Sequence, residues 1–190
     1  MNKWVAARIE MATWRGFAIW FAALFAFNWW AFYTSSPWTR ALEAAGGKLP
    51  ESQTGFPPVE PQRSLDALAG ANATGDYIFW QAFDIPYAIG NLMVTSIAIA
   101  LALKAMRLEK SILRYLLVLP PIYIFCEAIE NSLVAAFAAK WIAPVEGVTL
   151  VQQTATSVKM ISGFGSMFLG MAALAIAIIA TLISLIRSRR

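Results

Sequence analysis

Four long runs of apolar residues, over 14–34, 77–103, 112–139 and 155–186, constrain this chain more than any other feature. A bilayer core about 30 Å thick is crossed by roughly 20 helical residues, so each run is long enough to span it. In hydrocarbon every backbone polar group must be satisfied within the protein, and runs of this length do that as helices. The 190 residues are 59% hydrophobic and 14% charged, whereas a soluble domain carries about 25% charged residues. The expected fold is an all-α membrane protein. It is one domain over 1–190, an antiparallel four-helix transmembrane bundle with an outer capping loop that carries short helices.

Composition removes much familiar chemistry. The chain has no histidine and one cysteine, Cys126. Imidazole shuttles, His-based zinc or haem sites and Ser-His or Cys-His nucleophile pairs are excluded, as are an internal disulfide and a CxxC redox pair. No cofactor and no metal is expected.

The basic residues orient the chain. Lys3, Arg8 and Arg15 precede or open the first run, Lys104, Arg107, Lys110 and Arg114 lie between the second and third, and Arg187, Arg189 and Arg190 end the tail. The opposite side has Arg40, Lys48, Arg63 and Lys140 against six acids, namely Glu43, Glu51, Glu60, Asp66, Asp76 and Glu146. Cytoplasmic loops are the Lys/Arg-rich ones, so both termini are expected on the cytoplasmic side of a bacterial inner membrane. The net charge of +4 then reflects topology and not nucleic acid. The first run lacks an A-x-A site before Thr34 and reads as an uncleaved signal anchor.

The outer loop, 35–76, is rich in helix breakers. Ser36-Pro37 reads as an N-cap followed by proline at the first helical position, and Gly46 as a stop, which predicts a short helix over Pro37 to Ala45. A second helix is placed from Ser64, with TGFPPVEP extended between them. The loop is read as a cap over the outer mouth of the bundle, with a solvated linker as the alternative.

Intramembrane charge costs a few kcal/mol per residue on insertion scales, so the ionisable residues inside the runs carry the most information: Asp84, Glu127, Glu130 and Lys159. Asp84 shares a helical stripe with Tyr87, Asn91 and Thr95, and Tyr123 with Glu127, Glu130 and Asn131. On the last run Thr156, Lys159, Ser162 and Ser166 align, while Ser162, Ser166, Gly170 and Ala173 form a ladder of small residues suited to close helix approach. The Pro120-Pro121 pair is expected to kink or loosen the third helix just before its acids. At about 1.5 Å per residue, Asp84 lies about 10 Å inward from Tyr77, Glu130 about 15 Å from Lys140 and Lys159 about 8 Å from Thr154. Asn28, the polar residue inside the first run, also falls near its outer end. All four helices thus place polar groups in the outer half of the membrane, where one pocket would collect them.

Three acids and one lysine are an expensive imbalance in low dielectric. A neutral carboxyl beside an ionised one is used by general acid/base chemistry and by proton-coupled carriers. The competing reading is helix glue, with Lys159 paired to Asp84 or Glu130 and the asparagines bonding across helices. Oxygen ligation of a hard cation and a Ser-Lys pair from Lys159 and Ser162 are weaker alternatives. Lipoprotein signal peptidases are excluded, because FCEAIENSL lacks their paired-aspartate pattern.

The order GDYIFWQAFDIPYA, FCEAIENS, TATSVK resembles that of a broad, functionally uncharacterised group of bacterial four-span integral membrane proteins. In that group an Asp-x-Pro-Tyr-like element, an acidic-x-x-Glu-Asn element and a Thr-x-x-Lys element fall on spans two, three and four. The resemblance covers Gly75 to the C-terminus and picks out Asp84, Pro86, Tyr87, Glu127, Glu130, Asn131, Thr156 and Lys159, with Glu127 standing where aspartate is more usual. It implies the fold and the site residues, and no chemistry.

The leading expectation is a protein that binds a small lipophilic or amphipathic ligand in a polar pocket near the outer leaflet, with transformation or movement of that ligand as an optional further step. The ligand-binding set is Asn28, Asp84, Tyr87, Asn91, Tyr123, Glu127, Glu130, Asn131, Thr156 and Lys159. Asp84, Glu130 and Lys159 are the catalytic candidates, with Lys159 holding an anionic or carbonyl group. The alternatives are a structural or assembly subunit of a larger membrane complex, docking a protein partner or a second copy through Ser162, Ser166 and Gly170, and a proton-coupled transporter working as an oligomer.

Overall fold

A computed structural model describes residues 2–34, 36–52 and 59–188. All the regular structure of these residues is helical, with no strand among them. The elements are α1 (Asn2–Met11), α2 (Trp14–Tyr33), α3 (Pro37–Ala44), a 3-10 turn (Pro50–Ser52), α4 (Val59–Gly70), α5 (Thr74–Met106), a 3-10 segment (Ile112–Val118), α6 (Leu119–Ala138) and α7 (Glu146–Ser188). Among the described residues, four helical stretches are long and apolar enough to cross a membrane. They coincide with the four runs read from the sequence, although α5 and α7 extend beyond the runs at both ends.

The chain divides into two compact units. One comprises Met1–Leu24, Ile89–Tyr123 and Met160–Arg190, the other Phe25–Ala88 and Ile124–Lys159.

The first unit is held by apolar contact. Val5, Ile9 and Ala12 pack with Ile99, Leu101 and Leu103 of α5, with Leu117 and with Ala177. The sequence reading assigns no helix at the N-terminus, where Lys3 and Arg8 count only as topology charges. The structure forms α1 there, with one apolar face turned onto α5. Lys104 fastens its end, the Nζ donating to the carbonyls of Glu10 at 3.0 Å and Ala12 at 2.8 Å. These are terminal carbonyls left without intrahelical donors.

The third run is not one kinked α-helix. It is a 3-10 segment up to Val118 followed by α6, with Pro120 and Pro121 inside the first turn of α6. Neither proline can donate to the carbonyl four residues back, so the preceding residues tighten into the 3-10 form, and at a helix start the missing donors cost nothing. The small-residue ladder is used within this unit. Ser162 and Ser166 are buried, and a Cβ at Gly170 would lie 3.3 Å from Thr95 Cγ2.

The second unit holds α3, α4 and the ends of the apolar helices. Ser36 Oγ caps α3 by accepting from the Thr39 amide at 3.3 Å, and Gly46 and Gly47 turn the chain away with φ of 62° and 82°, a region that suits glycine. The expected short helix is thus present, ending at Ala44. The second one starts at Val59 and not Ser64, because Pro61 in its first turn opens a helix instead of preventing one. Residues 54–58 of the expected extended segment lie outside the described residues, and 59–61 are helical. Ala41, Leu49, Leu65 and Leu68 share one core with Tyr77, Val134 and Phe137. The described part of the loop is therefore packed onto α5 and α6 and is not a solvated linker.

Candidate functional site

The acids and the lysine expected to meet do meet, inside the second unit. On α6, Glu127 and Glu130 are one turn apart and Lys159 of α7 reaches both. Its Nζ is 3.3 Å from Glu127 Oε1 and forms a shorter ion pair with Glu130. The glutamates are 2% and 0% exposed, so these are charges removed from water. Breaking such a pair by deleting one partner is costly because the other is left buried and uncompensated.

Further polar groups complete the cluster. Thr156, one turn before Lys159 on α7, donates its hydroxyl to Glu130 Oε1 and accepts from Gln152 Nε2 at 2.9 Å. Asn131 Nδ2 lies 3.3 Å from the Gln81 carbonyl and 3.5 Å from Asp84 Oδ2, which ties α6 to α5. The charged neighbours of Asp84 are Glu127, Lys159 and Glu51. Tyr87, one turn further along α5, is half-buried and stacks on Phe27 of α2 at 5.8 Å. Asn28 is half-buried next to Phe27.

Asn91 and Tyr123 belong to the first unit. There Asn91 accepts through its backbone carbonyl from Thr95 Oγ1 at 2.6 Å, and Tyr123 packs on Gly163, where a Cβ would sit 2.8 Å from the ring.

Three residues of the cluster are absent from the sequence-based set. Glu51, on the 3-10 turn of the loop, accepts from Tyr77 Oη at 2.6 Å and from Gln81 Nε2 at 3.2 Å. Burial pushes its carboxyl above the ordinary value, against the opposing pull of Tyr77. No periodic signal marks Glu51, since it sits in an irregular segment. Gln81 and Gln152 did carry a signal. Gln81 is three residues before Asp84 and Gln152 four before Thr156, on the same helical stripes, but neither is ionisable and Gln152 precedes the apolar run that begins at 155. Gln152 lies on an α7 that starts at Glu146.

The Lys159 ammonium lies between two carboxylates, so an anionic group arriving there would have to displace one of them. Glu51 and Asp84 are half-buried and are the less enclosed acids of the cluster. Compared with known proteins, the chain matches no family model, no curated protein and no solved structure.

Proposed function

We propose that the protein is an integral membrane protein, an antiparallel four-helix bundle with both termini cytoplasmic and the segment 35–76 capping its outer end. In this reading it binds a small amphipathic ligand beside the polar cluster of the second unit, near the outer leaflet, and the cluster's carboxyls would serve any proton transfer in its transformation or movement. The observation that carries it is the polar cluster drawn from three apolar helices, in which Asn131 approaches Asp84, Lys159 pairs with Glu127 and Glu130, and Thr156 donates to Glu130. Packing alone does not need two glutamates with 2% exposure or less when apolar residues of similar volume hold helices at lower cost. Intramembrane ionisable groups mark substrate or ion pathways as a rule. The loop supports the reading, because Glu51 brings a carboxyl from outside the apolar runs onto Tyr77 and Gln81. The resemblance to bacterial four-span membrane proteins supports the same arrangement and localisation.

Native mass spectrometry of the purified protein stripped of annular lipid tests this directly. The expected result is one defined small molecule retained by the wild type and lost in Asp84→Asn at unchanged thermal stability. Retention of nothing defined by the wild type would leave the cluster as helix glue.

A further inference from the structure

Resting on that reading, we infer that the ligand carries an ammonium head group, received by Glu51, Gln81 and Asp84. Four carboxyls, those of Glu51, Asp84, Glu127 and Glu130, stand against one ammonium, Lys159, among the described residues of the cluster, and Lys159 is engaged by Glu127 and Glu130. Glu51 and Asp84, both half-buried, are left within range of each other's charge.

The second observation concerns Gln81, a neutral residue. Its side chain is 2% exposed and its Nε2 donates to Glu51 Oε1. A carboxylate only accepts, so Glu51 sets which way the amide points. The amide oxygen, Oε1, then has no hydrogen-bond donor among the described residues. A buried acceptor without a donor costs roughly 1–3 kcal/mol, and Gln81 is one helical turn from Asp84 on the same face of α5.

A proton on Glu51 would ease the repulsion and let the Gln81 amide turn to accept from it, but the amide nitrogen would then lose its acceptor. An anion would deepen the charge imbalance, and neither an anion nor a carbonyl would bring a donor. A primary ammonium answers both at once, since it supplies positive charge and three N–H donors for three acceptors: the Gln81 amide oxygen and the carboxylates of Glu51 and Asp84. Among the described residues no three acidic side chains converge closely enough to hold a metal ion, which favours a larger organic cation whose N–H groups reach outward. Phe27 and Tyr87, stacked beside Asp84, offer the apolar and aromatic surface that accompanies such a head group.

The test uses three probes of equal chain length, dodecylamine, dodecanol and sodium dodecanoate, titrated into the full-length protein in dodecyl maltoside at neutral pH. Unfolding is followed by tryptophan fluorescence. Dodecylamine is expected to raise the Tm of the wild type by several degrees in a saturable way, with dodecanol weaker and dodecanoate without effect. Gln81→Leu and Glu51→Gln should each lose at least tenfold in apparent dodecylamine affinity. Arg40→Ala, a change outside the cluster in the same unit, should keep it. Equal stabilisation by amine and alcohol, or stabilisation by dodecanoate, would overturn the ammonium inference while leaving an amphiphile site in place. A saturable response to the amine that survives in both cluster variants would overturn the assignment to these residues. No saturable response to any probe would overturn the ammonium inference and count against the ligand-binding reading as well. Should Gln81→Leu fail to fold, Gln81→Met and Glu51→Gln carry the comparison.

Discussion

The two units are built from the same long helices by opposite means. In the first, α5 and α7 contribute Ile99, Leu101, Leu103 and Ala177 to a dry core completed by α1. In the second, the same two helices contribute Gln81, Asp84, Gln152, Thr156 and Lys159 to a charged network. Apolar packing is non-directional and tolerant, whereas the network depends on each donor finding its acceptor. The difference teaches that helix length and hydrophobicity place both regions in one class of element, while a few polar residues determine which region has chemistry to offer.

The largest effect that would break this contrast is loss of Lys159. Lys159→Met strands Glu127 and Glu130 and is expected to cost about 3–5 kcal/mol of stability. The triple variant that also carries Glu127→Gln and Glu130→Gln should recover most of it. Thermal unfolding in detergent reads both, and a Lys159→Met protein as stable as the wild type would deny the pair its role. In the dry unit the comparable perturbation is steric. Gly163→Val would drive a side chain into the Tyr123 ring and should cost about 1–3 kcal/mol, with no dependence on pH.

Smaller effects sharpen the comparison. Thr156→Val removes the hydroxyl donated to Glu130 and is expected to cost about 0.5–1.5 kcal/mol, in the range of a net intramolecular hydrogen bond.

Glu51 gives a pH dependence with a definite sign. Its folded carboxyl lies above the ordinary value because of burial, so the folded state holds its proton more tightly than the unfolded chain. The stability this contributes is fully present below the unfolded value of about 4.3 and is lost as pH rises through the raised folded value. The Tm should therefore fall with increasing pH over that window, and Glu51→Gln should flatten the slope. A slope unchanged by the substitution would remove Glu51 as its source. The smallest effect belongs to the fork between Arg40 and Asp76, with Nε to Oδ2 at 2.9 Å and Nη2 to Oδ1 at 2.6 Å. It is solvent-exposed, so Asp76→Asn should leave the Tm within error.

Much of the molecule was legible beforehand where the rule is local. Ser36-Pro37 predicted α3 because an N-cap and a first-turn proline act over four residues. The four apolar runs predicted the long helices because bilayer thickness sets a length. Legibility failed where a neighbour decides. The face of α1 bearing Val5 and Ile9 has meaning only against α5. Pro120 and Pro121 suggested a kink, yet the chain changes helix type ahead of them.

The candidate site divides along the same line. Asp84, Glu127, Glu130 and Lys159 stood out because charge in an apolar run is conspicuous at any packing. Their pairing did not, since Lys159 had three acids to choose among and the approach of α6 to α7 selected Glu127 and Glu130. Sequence by itself determined that this chain is helical, has four helices able to cross a membrane and carries charge inside three of them, because hydrophobic length and helical period are properties of contiguous residues. Only the tertiary structure decided that Glu51 joins the cluster, that the Gln81 amide oxygen finds no donor among the described residues and that Gly170 packs against Thr95. Each of these depends on which side chains from distant segments come within about 3–4 Å of one another, the range over which hydrogen bonds and packing contacts act.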